Sequence, residues 1–233
     1  MRIAAVADIH GREYLEEFAA DLERLEPPDL FLVAGDLTDR NDPKAFEEVA
    51  EAIERRVSCP TYGVFGNNEY TGSQKAYRSS RRITFLDDEA VTIRTAGREI
   101  RLIGSVGSLD RPTWWQRTNL PGVEKVYEER IAAIDRLLEG NDFRVLMTHY
   151  PPTFATMGGE KEAWWPELGS RKLEAVVLRR RPDVVVHGHA HRGIPRATLT
   201  AGQQTIEGSG ARTSVPVYNV SYFVTHGITV LEV

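Results

Sequence analysis

Cysteine is almost absent from this chain of 233 residues, in which Cys59 is the only one. A single cysteine excludes an internal disulfide and is typical of proteins from a reducing compartment. Apolar runs are also short, and none approaches the length of about 20 residues that a membrane-spanning helix needs. The first apolar segment, residues 1–8, is too short for a signal peptide and leads directly into a polar motif. We therefore expect a cytoplasmic protein with no membrane partner.

Excess positive charge is missing as well, since 34 acidic residues outnumber 29 lysines and arginines and the formal net charge is −5. That balance argues against a surface dominated by contacts to a nucleic-acid backbone, so nucleic acid is not the expected partner. The content of hydrophobic residues, 41%, is ordinary for a globular protein. The length suits one α/β domain over residues 1–233, without repeats or linkers.

The first third of the chain alternates between apolar runs and helical patterns. Strands and helices are predicted in alternation at residues 2–7, 13–25, 29–34, 42–57 and 60–65. Asp42 is the expected N-cap of the second helix, with Pro43 at its first position. This β-α-β-α-β order predicts parallel central strands.

The rest of the chain is predicted to be richer in strands. Strands are expected at residues 83–86, 90–94, 99–104, 144–147, 183–186, 198–201, 204–206, 215–220, 223–225 and 228–233, and helices at 124–138 and 170–181. The first three of these strands should form a meander at one edge of a sheet, and the last five should be antiparallel. Three arginines end the second helix, where they would offset the helix dipole rather than bind nucleic acid.

Polar side chains that bind metals follow five of the apolar runs. They are Asp8, His10, Asp36, Asn67, His149, His189 and His191. Because ligands bind beyond the carboxyl ends of parallel strands, these groups should meet at one rim. Each motif alone is weak, since Gly-Asp and Gly-Asn pairs often mark turns. Four of the six histidines fall at such positions, and that conjunction predicts a metal site.

Carboxylates and imidazoles are mixed in this set, which suits a pair of divalent first-row ions. The ordered series Asp-x-His, Gly-Asp, Gly-Asn-x-Glu, His and Gly-His-x-His, from Asp8 to His191, resembles the calcineurin-like metallophosphoesterases. The resemblance implies an α/β fold of four layers, αββα, with two mixed sheets face to face flanked by helices. It also implies a centre of two metal ions, of which Mn²⁺ is expected to serve in vitro and Fe, Zn and Ni are alternatives.

The resemblance further assigns roles to the seven side chains. Asp8, His10 and His191 would hold the first ion, and Asp36 would bridge both. The second ion would be completed by Asn67, His149 and His189. The implied reaction is hydrolysis of a phosphodiester or phosphomonoester by a hydroxide between the two metals, with catalytic roles for Asp36, Asn68 and Glu69.

One position departs from the family pattern. The usual motif reads Gly-Asn-His-Asp/Glu, whereas this chain has Asn68 in place of the histidine, so Glu69 loses its usual partner. An amide donates a hydrogen bond to a phosphate but is no general acid at neutral pH. We therefore expect a phosphodiesterase-like preference for leaving groups of low pKa, unless His187 or His226 substitutes. For His187, a buried or supporting role is favoured over ligation.

Substrate-binding residues are less clearly marked. Asn68, Arg12 and Arg40 are candidates to bind phosphate oxygens, although both arginines also fit a plain exposed surface. Two tryptophan pairs, at residues 114–115 and 164–165, fit either stacking on a nucleotide base or packing of loops and subunits.

Three functional readings stay open at this point. The leading one is a phosphoesterase whose partner is a small phosphoester, with a nucleotide among the candidates. A second is a metal-bound scaffold that binds proteins and has lost catalysis, and a third is a nuclease. The acidic balance disfavours the nuclease, and oligomerisation is left open.

Overall fold

The computed structural model describes residues 1–79, 82–140, 142–200 and 214–233. Eleven strands form two sheets within these residues. In chain order the strands are β1 (Arg2–Val6), β2 (Leu30–Ala34), β3 (Thr61–Val64), β4 (Thr84–Phe85), β5 (Glu89–Thr95), β6 (Arg98–Ser105), β7 (Phe143–Thr148), β8 (Val184–His187), β9 (Arg196–Thr200), β10 (Ser214–Asn219) and β11 (Thr229–Glu232). The strand expected at residues 204–206 lies outside the described residues.

Helices connect most of these strands. They are α1 (Leu15–Arg24), α2 (Pro43–Arg56), α3 (Gln74–Ser79), α4 (Trp114–Asn119), α5 (Val123–Leu137), α6 (Trp165–Leu168), α7 (Arg171–Arg180) and α8 (Tyr222–Thr225), with 3₁₀ turns at Gly11–Glu13 and Glu162–Trp164. None of the helices in the described part of the chain is long and apolar enough to cross a bilayer.

Both sheets are mixed, with parallel strands at their centres. The first has the order β11-β1-β2-β3-β4, and the second has the order β5-β6-β7-β8-β10-β9. Within the first sheet β1, β2 and β3 are parallel, and within the second β6, β7 and β8 are parallel. The carboxyl ends of the parallel strands in each sheet therefore lie at one edge.

Apolar residues on both faces of the central strands hold four layers together. In β1, Ile3 and Ala5 pack between the sheets, while Ala4 and Val6 face the first helical layer. Because both faces are buried, such strands appear in the sequence as continuous apolar runs. The αββα fold predicted from the family resemblance is confirmed.

The helices of both outer layers are amphipathic and pack their apolar sides on the sheets. Helix α2 begins after Asp42, whose Oδ1 accepts from the backbone N–H groups of Lys44 (2.9 Å) and Ala45 (3.2 Å), as predicted. Its apolar residues Phe46 and Val49 pack on the first sheet together with α1. Helices α5 and α7 cover the second sheet through residues that include Ile134, Leu138, Leu173 and Val177. The arginines that end α7 pair with α5, since Arg179 and Arg180 both contact Asp135.

Three predictions of local structure were wrong. Strand β4 pairs with β3 in the first sheet, while β5 and β6 pair in the second, so residues 83–104 do not form one meander. Residues 223–225 are helical, in α8, although their β-branched and aromatic side chains favour a strand. The final strands are also not all antiparallel, because β10 runs parallel to β8.

A close approach between the sheets gives a testable prediction. A Cβ added at Gly104 in β6 would lie 2.4 Å from the Cβ of Leu86, whereas one at Gly72 would meet nothing within 4 Å. Gly104→Ala should therefore lower the free energy of unfolding by about 1–3 kcal/mol through overpacking, and Gly72→Ala should not. Urea denaturation of both variants measures the difference, and equal stabilities would contradict this account of the sheet contact.

Candidate metal centre

The polar residues predicted to meet at one rim do so. Each follows the carboxyl end of a parallel strand, namely Asp8 after β1, Asp36 after β2, Asn67 after β3, His149 after β7 and His189 after β8. Several hydrogen bonds join the sheets at this edge, and two of them involve candidate ligands directly. His149 Nδ1 lies 2.9 Å from the carbonyl oxygen of Ala34, and the backbone N–H of His189 donates to Asp8 Oδ2 over 2.8 Å.

Four of these residues have left-handed backbone conformations. The φ angles are 58° at Asp8, 52° at His10, 51° at Asp36 and 69° at His189. Such angles cost a non-glycine residue on the order of 1–3 kcal/mol and persist only where surrounding structure enforces them. They turn each side chain sharply off its strand end and into the rim.

A glycine permits the tightest approach at this rim. A Cβ at Gly66 would lie 2.0 Å from Asp36 Oδ1. Only glycine therefore allows the loop after β3 to lie against Asp36, which explains the Gly-Asn pair in the sequence.

The first group of candidate ligands contains Asp8, His10 and His191. One oxygen or nitrogen from each lies within 4.8 Å of the other two. Three of their atoms, Asp8 Oδ1, His10 Nε2 and His191 Nε2, are buried and have no hydrogen-bond partner. Buried polar atoms are normally satisfied, so three buried atoms without partners that lie close together fit the coordination of a cation.

The second group contains Asp36, His149 and His189, whose ligand atoms also lie within 4.8 Å of one another. A carbonyl only accepts, so His149 Nδ1 donates to Ala34 and Nε2 is left with its lone pair. That lone pair faces Asn67 Oδ1 at 3.1 Å and Asp36 Oδ2 at 3.6 Å. Three acceptors therefore point at one place with no proton between them, an arrangement that a cation would stabilise.

The electrostatics of the buried acidic groups also favour a cation at this rim. Burial, with the nearby charge of Asp8, raises the pKa of Asp36 to about 7. Burial and the charge of Asp36 likewise raise the pKa of Glu69 to about 7. Burial alone would raise the pKa of Asp8 too, but His191 and His149 outweigh it and hold that pKa below its usual range. Among the described residues, no lysine or arginine forms an ion pair with any of the three.

The two histidines of the second group are in the form that binds metals. Burial lowers the pKa of both His149 and His189, which keeps their imidazoles neutral. Neutral imidazole nitrogens and carboxylate oxygens in two groups that share a rim are a suitable donor set for two divalent first-row ions. The residues present therefore fit the metals that the sequence implies.

Asn68 lies directly against Asp36. Its backbone N–H donates to Asp36 Oδ1 over 2.8 Å, and its side-chain Nδ2 donates to Asp36 Oδ2 over 2.7 Å. Its own Oδ1 accepts from the backbone N–H of Arg40 over 3.1 Å. Asn68 thus donates hydrogen bonds to both oxygens of the carboxylate that is expected to bridge the two metals.

Glu69 faces backbone rather than the side chain at position 68. Its Oε2 accepts from the N–H groups of Asp36 (3.0 Å) and Gly66 (2.7 Å), and its Oε1 accepts from Thr38 (3.1 Å). The carboxylate therefore ties the loop after β2 to the loop after β3. This contact with backbone replaces the partner that the sequence pattern led us to consider lost.

The two candidate arginines differ in their surroundings. Arg12 Nε donates to Glu48 Oε2 on α2 over 3.1 Å, so its charge is already paired. The side chain of Arg40 is 87% exposed, and its one ion pair with a residue in the described parts of the chain is with Asp39, over 3.6 Å. Arg40 is therefore the freer of the two to meet an anion.

Neither of the remaining histidines contacts Asn68. His187 is buried, its Nδ1 lies 2.8 Å from the carbonyl oxygen of Gly188, and its Nε2 lies 2.9 Å from Thr156 Oγ1. Burial lowers the pKa of His187 to about 4. His226 is exposed and ends α8. The buried, supporting role favoured for His187 agrees with these contacts.

Two aromatic side chains at the site were not identified from the sequence. The ring of Phe223 stacks on His191 with centroids 4.0 Å apart and meets His10 edge-on at 5.3 Å. On the other side, the ring of Tyr150 lies 4.8 Å from that of His189. Tyr150 directly follows His149, which was a usable signal, but nothing in the local sequence marked Phe223.

The tryptophans divide into two kinds. Trp165 is packed, because its Nε1 donates to the carbonyl oxygen of Glu160 and its ring meets Phe154. Trp114, Trp115 and Trp164 are at least half exposed. Helix α4, which carries the first pair, is joined to the site by Gln116, whose Nε2 donates to Tyr150 Oη over 3.4 Å.

Two bacterial proteins are similar to this chain in sequence. A protein of Synechococcus sp. named probable cyclic nucleotide phosphodiesterase is 24% identical over 166 residues, which cover 71% of this chain and 58% of that protein. One of the same description from Pseudoalteromonas sp. is 26% identical over 204 residues, covering 82% of this chain and 71% of the relative. The chain thus spans little more than half the length of the Synechococcus protein.

Solved structures share the fold. Phosphopantetheinyl hydrolase from Mycobacterium tuberculosis matches with a TM-score of 0.65 and 16% identity, over 94% of this chain and 88% of that one. A purple acid phosphatase from yellow lupin matches with a TM-score of 0.52 and 11% identity, over 94% of this chain and 44% of that one. A sequence model described as calcineurin-like phosphoesterase matches residues 1–193. With most of its length matched in this way, the chain belongs to the calcineurin-like phosphoesterase family.

Proposed function

We propose that the chain hydrolyses small phosphodiesters, with two divalent metal ions bound at the rim. The observation that carries this proposal is the pair of ligand groups, Asp8, His10 and His191 beside Asp36, His149 and His189. Family membership supports phosphoesterase activity and implies divalent metals. The names of the two bacterial relatives extend the candidate substrates to cyclic nucleotides.

Each group of side chains would hold one ion. Asp36 Oδ2 lies 3.9 Å from His10 Nε2 and 3.6 Å from His149 Nε2, which supports the proposal that this carboxylate would serve both ions. Asn67 would add a neutral amide oxygen to the second ion, which limits the total negative charge. When bound, a pair of divalent cations supplies Lewis acidity that activates water near neutral pH and offsets the charge of the phosphoryl group.

The protein's own residues would orient these groups. Glu69 fixes the two loops through backbone N–H groups, and Asn68 fixes both oxygens of Asp36. Arg40, with its exposed guanidinium, is the better candidate to bind a phosphate oxygen, because Arg12 already pairs with Glu48. Aromatic rings of Phe223 and Tyr150 restrict the rotation of His191 and His189.

The three residues considered as proton donors to the leaving group, Asn68, His187 and His226, do not fit that role. Asn68 carries an amide, His187 has both ring nitrogens occupied, and His226 makes no contact with Asn68. The preferred substrates should therefore release groups that leave without protonation, such as aryl alcohols. A cyclic nucleotide releases an alkyl alcohol, so its rate relative to an aryl diester tests this expectation directly.

Metal binding can be tested before any substrate is known. Metal-depleted protein should bind about two Mn²⁺ per chain, and saturation with Mn²⁺ should raise the melting temperature because only the folded chain presents both groups. His191→Ala should reduce the stoichiometry to about one, while the exposed control His226→Ala should keep two. Elemental analysis and differential scanning fluorimetry provide both readouts, and two ions per chain in His191→Ala would contradict the assignment.

Activity should follow the metals. The Mn²⁺-loaded protein should hydrolyse bis-p-nitrophenyl phosphate, and Asp36→Asn should lower kcat by at least about 100-fold, as expected when a key electrostatic contact at a reacting phosphoryl group is lost. A screen with Mn²⁺, Fe²⁺, Ni²⁺ and Zn²⁺ over aryl diesters, cyclic nucleotides and phosphomonoesters would set the substrate class. An absence of turnover with all four metals would favour a protein-binding scaffold instead.

The residue at position 68 should control the choice of leaving group. Asn68→His would introduce a general acid, and such a group contributes roughly 10²–10⁴-fold for leaving groups that need a proton. We expect the rate on alkyl diesters to rise relative to that on aryl diesters by about 100-fold, the lower end of that range. Asn119→His, on the exposed end of α4, is the matched control, and an unchanged alkyl-to-aryl ratio in Asn68→His would refute the proposed role.

A further inference from the structure

Asn41 joins the two loops that carry Asp36, Asn68 and Glu69, yet its side chain belongs to neither ligand group. Its Oδ1 accepts from the backbone N–H of Tyr70 and from the hydroxyl of Tyr77, both over 3.0 Å. Its Nδ2 donates to Ser73 Oγ over 2.8 Å. We call these contacts the Asn41 latch. They involve both the oxygen and the nitrogen of the side-chain amide.

The latch is anchored in the protein core. Tyr77 lies on α3 and is 2% exposed, and its ring packs on Phe46 of α2 with centroids 4.3 Å apart. Its hydroxyl reaches out of this core to Asn41. A rigid side chain therefore holds the loop after β2 at a fixed distance from the first helical layer.

The segment that the Asn41 latch restrains has a strained backbone. Arg40 and Asn41 have φ angles of 46° and 61°, so two successive non-glycine residues are left-handed. Asparagine tolerates this conformation better than most residues, but arginine gains no such relief. Without outside contacts the segment would relax, since strained residues persist only where neighbours enforce them.

The strained segment determines how the Asn68 amide is turned. The backbone N–H of Arg40 donates to Asn68 Oδ1 over 3.1 Å, which leaves Asn68 Nδ2 to face Asp36 Oδ2 at 2.7 Å. If Arg40 moved, the amide would lose the contact that selects its orientation. Position 41 thus reaches the candidate site through Arg40 and Asn68 in turn.

We propose that Asn41 is a positioning residue, whose hydrogen bonds to Tyr70, Ser73 and Tyr77 hold Arg40 against Asn68 and so fix the amide at the site. Its effect on catalysis rests on the proposed phosphodiesterase function. Its effect on loop structure does not, and can be measured without metal or substrate. Because Asn41 supplies no candidate ligand, its loss should leave metal stoichiometry at the wild-type value.

Three substitutions at this position separate the latch from backbone strain. Asn41→Asp keeps an acceptor for Tyr70 and Tyr77, and Ser73 can donate to its second oxygen, so kcat should stay within about threefold of wild type. Asn41→Leu keeps the size and removes every hydrogen bond, and kcat should fall by about 10–100-fold with little change in KM, as for a displacement of about 1 Å. Asn41→Gly relieves the strain but also removes the contacts, and should behave like Asn41→Leu.

Tyr77→Phe tests the core anchor. It removes one donor to Asn41 and keeps the ring on Phe46, so kcat should fall by less than in Asn41→Leu. Asn119→Ala on α4 is a control that removes an exposed asparagine elsewhere. Wild-type kcat in both Asn41→Leu and Asn41→Gly would overturn the proposal.

Hydrogen–deuterium exchange on the metal-free protein supplies the independent readout. The segment 66–73 should exchange at least about tenfold faster in Asn41→Leu than in wild type, while Asn41→Asp and Asn119→Ala should match wild type. Unchanged exchange in Asn41→Leu would overturn the latch, and faster exchange with unchanged kcat would overturn its positioning role. If the wild-type protein hydrolysed no phosphoester with any metal, the proposed function would fail and the exchange result alone would decide the latch.

Discussion

Three carboxylates, those of Asp8, Asp36 and Glu69, are buried together where the two sheets meet. Each is at most 2% exposed, and in the described chain no lysine or arginine offsets them. An unpaired charge in such surroundings is so costly that a buried acid ordinarily takes up a proton instead. Here part of the compensation is visible, since Glu69 receives three backbone N–H groups and His191 lies 3.6 Å from Asp8. The first ligand group still has three atoms without partners, and the second has three acceptors that face one another. Divalent cations would compensate these atoms.

The rest of the fold provides the stabilising free energy that offsets the cost of this arrangement. Four left-handed residues at the rim cost on the order of 1–3 kcal/mol each. That strain is sustained because every central strand is buried on both faces, between a helical layer and the opposite sheet. The same layering delivers the ligands, because parallel strands end at one edge and the hydrogen bond from His149 to Ala34 joins the edges of the two sheets.

How far the sequence predicts this structure depends on the range of the interaction concerned. The central strands and the cap of α2 follow from local patterns, and the rim follows from the rule that parallel strands share an edge. The assignment of β4 and β5 to different sheets does not, because both have the same pattern and differ only in their distant partners. Residues 223–225 have strand-like side chains, but packing of Phe223 against His191 and Tyr14 accompanies a helical turn there. Asn41 and Glu69 act through contacts with atoms 29–36 residues away, which no periodicity reveals.

Position 68 is where local chemistry and the surrounding fold act together. The backbone and side chain of Asn68 donate to different oxygens of Asp36, so a short amide spans the carboxylate in a way that depends on its exact placement. Each carboxylate oxygen has two lone pairs, and the two donors from Asn68 leave capacity for cations on the other side. The residue is therefore suited to orient the Asp36 carboxylate, a role that requires no proton transfer. Under the proposed function, this would let the chain keep both ligand groups while changing which leaving groups it can release, and the placement of the Asn68 amide, set from Arg40 and Asn41, would govern how Asp36 is oriented.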